Sequence, residues 1–183
     1  EWNEKINLTR HTTLELFAVR DVVDGLELAN LLQPGEKVLD VGTGGGTPGV
    51  IVSILRPDVR VSLLEQTEKK SRAVSDMMKR LDLSIPVIRA RVQEHLESSS
   101  EGAYNSLLVR AVAPMPKLLR WLQGHWGKFD RLLAIKGRRW KEECDLAKQE
   151  KLTERLRIRR VAEYETPGTD AVSVVLEVAF NRR

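Results

Sequence analysis

The chain has one cysteine, Cys144, in 183 residues. That excludes an internal disulfide and any cysteine-based metal cluster, and it suits a reducing compartment. Its three histidines, His11, His95 and His125, are scattered. Each reads as surface or packing, and no metal site is expected. No apolar run approaches the roughly 20 residues needed to span a bilayer, and no signal-peptide pattern opens the chain. No repeat or linker divides it. These absences predict a cytoplasmic protein with no membrane partner, expected to act as a monomer. They also predict one domain over residues 1–183, with a helical lead-in at 1–34 and a core at 35–183.

What is present is ordinary in bulk: 42% apolar and 31% charged residues, with a net charge of +4. The distribution of charge says more. Basic residues gather late, in "KGRRWK" at Lys136–Lys141, "RLRIRR" at Arg155–Arg160 and the terminal "NRR". Any one cluster reads equally as solvated surface, but three in the last third favour a polyanionic partner.

Strand-like and helix-like segments alternate after Leu32. The strand-like runs are Val38–Val41, Arg60–Glu65, Val87–Arg91, Ser106–Arg110, Arg131–Ile135, Arg157–Glu165 and Ala171–Phe180. Helical patterns cover Gly49–Leu55, Glu68–Leu81, Met115–Trp126 and Trp140–Lys151. This rhythm predicts an α/β fold, a Rossmann-like, mostly parallel sheet with helices on both faces. The last two strands are joined only by "TPGTD", too short for a parallel crossover, so they should form an antiparallel hairpin. Ahead of the sheet, Leu14–Leu32 has helical spacing, with Leu16, Val19, Val23, Leu26 and Leu28 as candidate core positions.

The densest signal is "VLDVGTGGGTPG" at Val38–Gly49, where a strand runs into a cluster of glycines. Glycine loses more backbone entropy on folding than any other residue, so such a cluster needs a reason. A tight turn that admits a ligand against bare backbone, opening a helix with free N–H groups, supplies one. Gly44, Gly46 and Gly49 satisfy G-x-G-x-x-G, a weak signal alone. Pro48 fits the first helical turn. Glu65 closes the second strand, where a carboxylate can accept bonds from both hydroxyls of a ribose, in NAD or in S-adenosylmethionine (SAM) alike. Asp40 favours SAM, because a carboxylate near the turn repels pyrophosphate and tolerates a cationic methionine moiety. Both acids also read as strand-end surface residues.

Beyond the turn, "WNEKINLT" at Trp2–Thr9, "DVGTGGGTPG" at Asp40–Gly49, "LLEQTEKK" at Leu63–Lys70, "RVQE" at Arg91–Glu94, "RAVAP" at Arg110–Pro114 and "KG" at Lys136–Gly137 occur in one order. That ordered set resembles the glucose-inhibited division protein B family, guanine-N7 methyltransferases of bacterial small-subunit (16S) ribosomal RNA. The resemblance implies the class I SAM-dependent methyltransferase fold, SAM as cofactor, and small-subunit ribosomal RNA or the ribosomal subunit as partner. Carried over by position, it implies SAM contacts from Gly42 and Thr47 in the turn and from Glu65 to the ribose. Val92 and Gln93 would flank the adenine. Arg110 would lie beside the methionine end and the target base, as the candidate catalytic residue, although a salt bridge to a surface acid is its plainer reading. Asp24, Lys136, Arg138 and Arg139 are the candidate substrate-binding residues.

The chain departs from the family pattern at several positions. Thr47 stands for a bulky apolar residue, Glu65-Gln66 for "DS", Gln93 for a glutamate and Asn105 for the aspartate of "FD". A family "H-x-x-D-S" segment reads "DVVDG" at Asp21–Gly25, which keeps Asp24 and replaces the histidine and serine. These changes leave another RNA, a small molecule, or a non-catalytic SAM- or RNA-binding role open beside rRNA methylation. Guanine N7 carries a lone pair and no proton at neutral pH, so such a reaction needs alignment rather than a general base. The chain lacks the "D/N-P-P-Y" associated with amino-nitrogen methylation. Trp140 reads as a stacking platform for an unpaired base or as helix packing. Lys69 and Lys70 read as solvated.

Overall fold

A computed structural model of the chain describes residues 18–167 and 170–181, together with Ile6, Leu8, Thr13 and Glu15. Leu14, Leu16, His11 and most of "WNEKINLT" lie outside the described residues, as do Gly168 and Thr169 of the hairpin turn and Arg182 and Arg183. Among the described residues, no helix is long and apolar enough to cross a membrane.

Seven strands form one sheet: β1 (Lys37–Val41), β2 (Arg60–Leu64), β3 (Val87–Ile88), β4 (Tyr104–Arg110), β5 (Phe129–Lys136), β6 (Leu156–Glu165) and β7 (Val172–Phe180), in the order β3-β2-β1-β4-β5-β7-β6. The β1–β2, β1–β4, β2–β3 and β4–β5 pairs are parallel, and β7 runs antiparallel to both β5 and β6. Both faces are covered, so the central strands are apolar on both sides. Under α1 (Val23–Leu31), α2 (Gly49–Leu55) and α3 (Glu68–Arg80) lie Leu28, Val38, Val52, Leu63, Val74 and Leu133. Under α4 (Val92–Ser98), α5 (Met115–Leu122) and α6 (Trp140–Gln149) lie Leu39, Leu96, Leu107, Leu118, Leu132 and Leu176.

Element boundaries differ from the sequence pattern at β3 and at the end of α5. Strand β3 keeps only two of its five expected residues, because Arg91 opens helix α4 instead. The Arg91 N–H donates to Glu94 Oε2 at 3.4 Å, satisfying a helix-start donor from inside the first turn. Helix α5 stops at Leu122, before the expected Trp126, and Gly124 follows at φ +90°. Helix α2 begins at Gly49 as expected, with Pro48 as its N-cap rather than in its first turn.

The lead-in corrects the expected phase. Leu26 is 43% exposed, whereas Leu28 is fully buried, and Val19 and Val23 are half-buried. The inward stripe is Asp21, Asp24, Gly25, Leu28, Ala29 and Leu32, all buried, at the i, i+3, i+4, i+7 spacing of a helix face. A short π-turn at Ala18–Val22 leads into it. Two acids, Asp21 and Asp24, stand in this buried stripe, and the site explains them.

Gly25 sets how closely α1 approaches α2. A Cβ added there would lie 2.4 Å from Ile51 Cγ2. Gly25→Ser is therefore expected to cost about 1–3 kcal/mol through overpacking and to lower Tm by several degrees in a thermal melt. Adding Ile51→Ala is expected to make the double variant more stable than the sum of the two single losses. Simple additivity would show that the two residues do not touch.

Candidate functional site

The carboxyl ends of β1, β2 and β4 meet around the glycine turn, the end where ligands bind in such sheets. The turn hangs from the last carbonyl of β2: Leu64 O accepts from the N–H of Gly42 at 2.8 Å and of Thr43 at 3.0 Å. Gly46 N–H then donates back to Thr43 O at 2.9 Å. Its glycines have different reasons to be there. At Gly42, φ is +70° and a Cβ would meet Val112 Cγ2 at 2.8 Å; at Gly49 a Cβ would meet Leu63 Cδ2 at 2.4 Å. Those two are closed by protein. Gly44 is left-handed at φ +57°, and among the described residues nothing lies nearer its absent Cβ than Gly42 O at 3.8 Å. The described residues leave space there.

Asp40 lies beneath the turn at 1% exposure. Its Oδ2 accepts from Thr43 Oγ1 at 2.6 Å and from the Gly49 N–H at 2.9 Å, so it braces both arms of the turn from below. Burial pushes its carboxyl up to about 6; the Thr43 and Gly49 bonds and Arg110 oppose the rise, and Glu65 adds to it. Glu65, buried at the end of β2, accepts from the Thr67 N–H at 2.8 Å and, through Oε2, from the Gly44 N–H at 3.1 Å. Both of these donors are backbone groups, so Glu65 lines the turn with its carboxyl group.

Arg110 ends β4 between two buried carboxylates. Its Nη2 lies 2.5 Å from Asp21 Oδ1 and its Nε 2.6 Å from Asp24 Oδ2. Its Nη1 donates to Thr47 Oγ1 at 3.3 Å, and the Thr47 hydroxyl donates to Asp21 Oδ2 at 3.3 Å. The partners of Arg110 are thus interior acids, not the surface acid of its plainer reading, and Asp21, Asp24 and Thr47 join one network with it. Tyr164 completes this network from β6, its hydroxyl donating to Asp24 Oδ1 at 2.5 Å. Burial raises the Asp24 carboxyl, with the Tyr164 bond and Arg110 opposing. Asp21 and Thr47 are two of the departures noted in sequence, and they touch each other.

Val92 is buried and Gln93 half-buried at the start of α4, just past β3. Lys136 is not placed as a phosphate contact. It is 8% exposed, and its Nζ donates to Ala113 O at 2.7 Å and pairs with Glu143 Oε2 at 2.8 Å. Glu143 Oε2 also accepts from the Met115 N–H at 2.7 Å. Lys136 and Glu143 therefore pin the segment after β4, whose Ala111 adopts φ +53°. Arg138 is exposed and donates to the Asp170 carbonyl, and Arg139 is exposed at the start of α6. Trp140 packs against the core and carries the Lys141 ammonium 5.6 Å above its ring. His95 meets the Tyr104 hydroxyl at 2.7 Å, as packing.

The late basic clusters separate in space. Lys136–Lys141 follows the carboxyl end of β5, on the side of the turn. Arg155–Arg160 opens β6 beside the start of β5, where Arg131 and Arg157 both pair with Ala179 of β7, at the opposite end of the sheet. There Arg131, Arg157 and Arg159 surround the buried Glu177, at 3.3, 3.8 and 2.8 Å, and Arg160 pairs with Glu163. That cluster keeps more guanidinium than carboxylate, but it lies at the far end of the sheet and does not add to a polyanion surface at the site.

A sheet of this order, with a bare-backbone turn after β1 and an acid after β2, has the class I SAM-dependent methyltransferase fold. Two solved structures agree on the fold. Mycoplasma capricolum TrmK in complex with S-adenosyl-homocysteine matches with a TM-score of 0.67 and 12% identity, over 87% of this chain and 68% of that one. A SAM-dependent methyltransferase from Aquifex aeolicus matches with a TM-score of 0.62 and 19% identity, over 90% and 93%. The chain belongs to the GidB family, rRNA small subunit methyltransferase G, whose family model matches residues 1–170. Among proteins named ribosomal RNA small subunit methyltransferase G, that of Rhodopirellula baltica is 44% identical over 163 residues, covering 89% of this chain and 69% of its own. That of Escherichia coli is 30% identical over 183 residues, covering 100% and 84%. The Mycobacterium avium protein is 35% identical over 126 residues, and the match spans about half its length, 51%.

Asp40 makes the site testable through pH. Its folded value lies above the ordinary 3.8, so between about pH 4 and 6 the folded chain holds this proton more tightly than the unfolded chain. The contribution of Asp40 to stability therefore falls as pH rises through that window. Asp40→Asn is expected to remove this slope. Calorimetric Tm, compared between wild type and variant from about pH 4 to 7, should show the wild type losing ground to the variant up to about pH 6 and holding level above it. Parallel curves would place the carboxyl at an ordinary value.

Proposed function

We propose that this chain transfers the methyl group of SAM to guanine N7 in small-subunit ribosomal RNA. The observation that carries this reading is the family match over residues 1–170, and the chemistry of the turn supports it. Among the described residues, Asp21, Asp24, Asp40 and Glu65 gather at the site, with Arg110 paired to two of them. That excess of carboxylates suits a ligand carrying a sulfonium and an ammonium, and it opposes a pyrophosphate. The open space at Gly44 is what such a ligand needs beside the backbone.

In this arrangement Glu65, already turned toward Gly44, would take the ribose hydroxyls, and Gly42, Gly44, Gly46 and Thr47 would line the turn. Val92 and Gln93 would flank the adenine. Arg110, fixed by Asp21 and Asp24, would stand at the methionine end. The cofactor supplies an electrophilic methyl group. Guanine N7 has a lone pair free to receive it and no proton to lose. The residues therefore bind, orient and exclude water, and such alignment can be worth about 7–11 kcal/mol. Arg138, Arg139 and Lys141, exposed beside the site, would meet phosphates of the RNA. Lys136 holds the segment after β4 in place.

Gly44→Arg separates ligand room from protein packing, because the described residues leave that space open. The variant is expected to remain folded, with a loss of about 1–2 kcal/mol from the left-handed backbone, and to lose SAM and S-adenosylhomocysteine binding in calorimetric titration. Labelled methyl groups should enter 16S rRNA, offered naked or as assembled subunits, with the wild type and not the variant, at sites cleavable as N7-methylguanine. Turnover of SAM without rRNA preference would point to another substrate. RNA binding without methyl incorporation would point to a non-catalytic relative.

The charge distribution gives a second test. Arg139→Gln with Lys141→Gln is expected to weaken RNA binding and to lower the slope of log affinity against log salt by about one for each phosphate no longer neutralised. Arg157→Gln with Arg159→Gln, at the far end of the sheet, should leave that slope unchanged.

A further inference from the structure

We propose that Tyr164 is a positioning residue for the methyl-donor site, acting through Asp24 to hold Arg110 in place. Nothing in the sequence around the hairpin marks it. The inference rests on the function proposed above, in which Arg110 stands at the methionine end of SAM.

The geometry is a continuous chain of bonds from the last hairpin to the glycine turn. Tyr164 donates to Asp24 Oδ1 at 2.5 Å, and Asp24 Oδ2 lies 2.6 Å from Arg110 Nε. Arg110 Nη2 lies 2.5 Å from Asp21 Oδ1, and Arg110 Nη1 and Asp21 Oδ2 both meet the Thr47 hydroxyl at 3.3 Å. Each Asp24 oxygen meets one of the two side chains, so Tyr164 and Arg110 together fix the plane of the carboxylate. Without the phenol, one oxygen of a buried carboxylate loses its donor, and the group is free to rotate away from the guanidinium. Asp24 and Tyr164 are 140 residues apart, and they join the N-terminal lead-in to the C-terminal hairpin over the end of β4. Burial and the Asp24 bond both raise the phenol, which keeps it a donor at every working pH.

The charges around Asp24 fix the sign of the test. Arg110 faces it from β4, Asp21 and Arg20 from the π-turn, and Tyr164 from β6, with Glu27 of α1 beside the phenol. Tyr164 and Arg110 favour the ionised carboxylate; burial and Asp21 disfavour it. Removing the phenolic hydroxyl moves protonation of Asp24 to higher pH, and with it the loss of a paired Arg110. Asp40, the other buried acid that feels Arg110, makes no bond to Tyr164 and supplies an acid limb of its own that the change does not move.

Calorimetric titration with SAM from about pH 5 to 8, on wild type, Tyr164→Phe and Asp24→Asn, tests this. Phenylalanine keeps the ring that packs against the core beneath α1 to α3. In Tyr164→Phe the acid limb of SAM affinity is expected to move up by about one pH unit, the scale of one hydrogen bond to a charged group. In Asp24→Asn, adding Tyr164→Phe should produce no shift, since no charge remains to hold. A limb unmoved in folded Tyr164→Phe, with Tm alone lowered, would make Tyr164 structural only and overturn the proposal. So would a shift of equal size in the Asp24→Asn background, a readout that remains informative if either single variant is unstable. Wild type that binds no SAM at any pH would remove the proposed function first, and this inference with it.

Discussion

Asp40 Oδ2 accepts from the Thr43 hydroxyl on one arm of the glycine turn and from the Gly49 N–H on the other. That oxygen turns a flexible run of glycines into a fixed shelf. Released from it, Gly42 and Gly44 would have more backbone freedom to lose on binding a ligand than any other residues could have. The bond to Gly49 also sets where α2 starts, and Gly49 lies so close to β2 that no side chain would fit. Helix, turn and strand are thus positioned by one carboxylate that water does not reach. Its desolvation is the cost of that control.

The same device recurs twice around the site with other partners. Asp21 and Asp24 are buried because Arg110 lies between them, and Lys136 is buried because Glu143 and a carbonyl receive it. Removing one partner from such a pair leaves the other charged in a poor solvent, typically a loss of about 3–5 kcal/mol. These pairs tie separate parts of the chain to the carboxyl ends of the strands. Arg110 binds the lead-in, Tyr164 brings in the last hairpin, and Lys136 fixes the segment after β4. The mouth of the site is therefore held by polar bonds over an apolar sheet.

How much of this can be read in the sequence follows from how local each cause is. The strands other than β3, the turn, Glu65 and the closing hairpin rest on short patterns, and they stand where those patterns put them. Helix α4 is not legible, because no glycine turn announces it as one announces α2, and its start depends on Glu94 reaching back to Arg91. The lead-in takes the wrong phase in sequence because acids such as Asp21 and Asp24 count as outward-facing. An acid at an i, i+3 spacing in a buried stripe makes sense only once Arg110, far along the chain, is known to meet it. Lys136 misleads in the same way: a lysine in a basic run looks solvated until Glu143 and Ala113 O are seen around it. Tyr164 gives no local sign at all. The departures at Asp21 and Thr47 are visible singly, but that they touch is not.

The margins of the sheet carry a consequence for how copies of this chain can meet. An exposed strand offers unpaired N–H and C=O groups to any other strand. One margin here, β3, is only two residues long, too short a template to hold a partner. The other, β6, is ten residues long, but its first half carries Arg157, Arg159 and Arg160 with Arg155 just ahead of it, and its ladder with β7 breaks register between Arg160 and Ala162. A second β6 laid alongside in parallel would bring guanidinium against guanidinium, and in either direction it would have to follow that break. The arginines of β6 and the break in its ladder thus hinder extension of the sheet by its own kind, which gives a basic stretch at the far end of the molecule a use that involves no ligand.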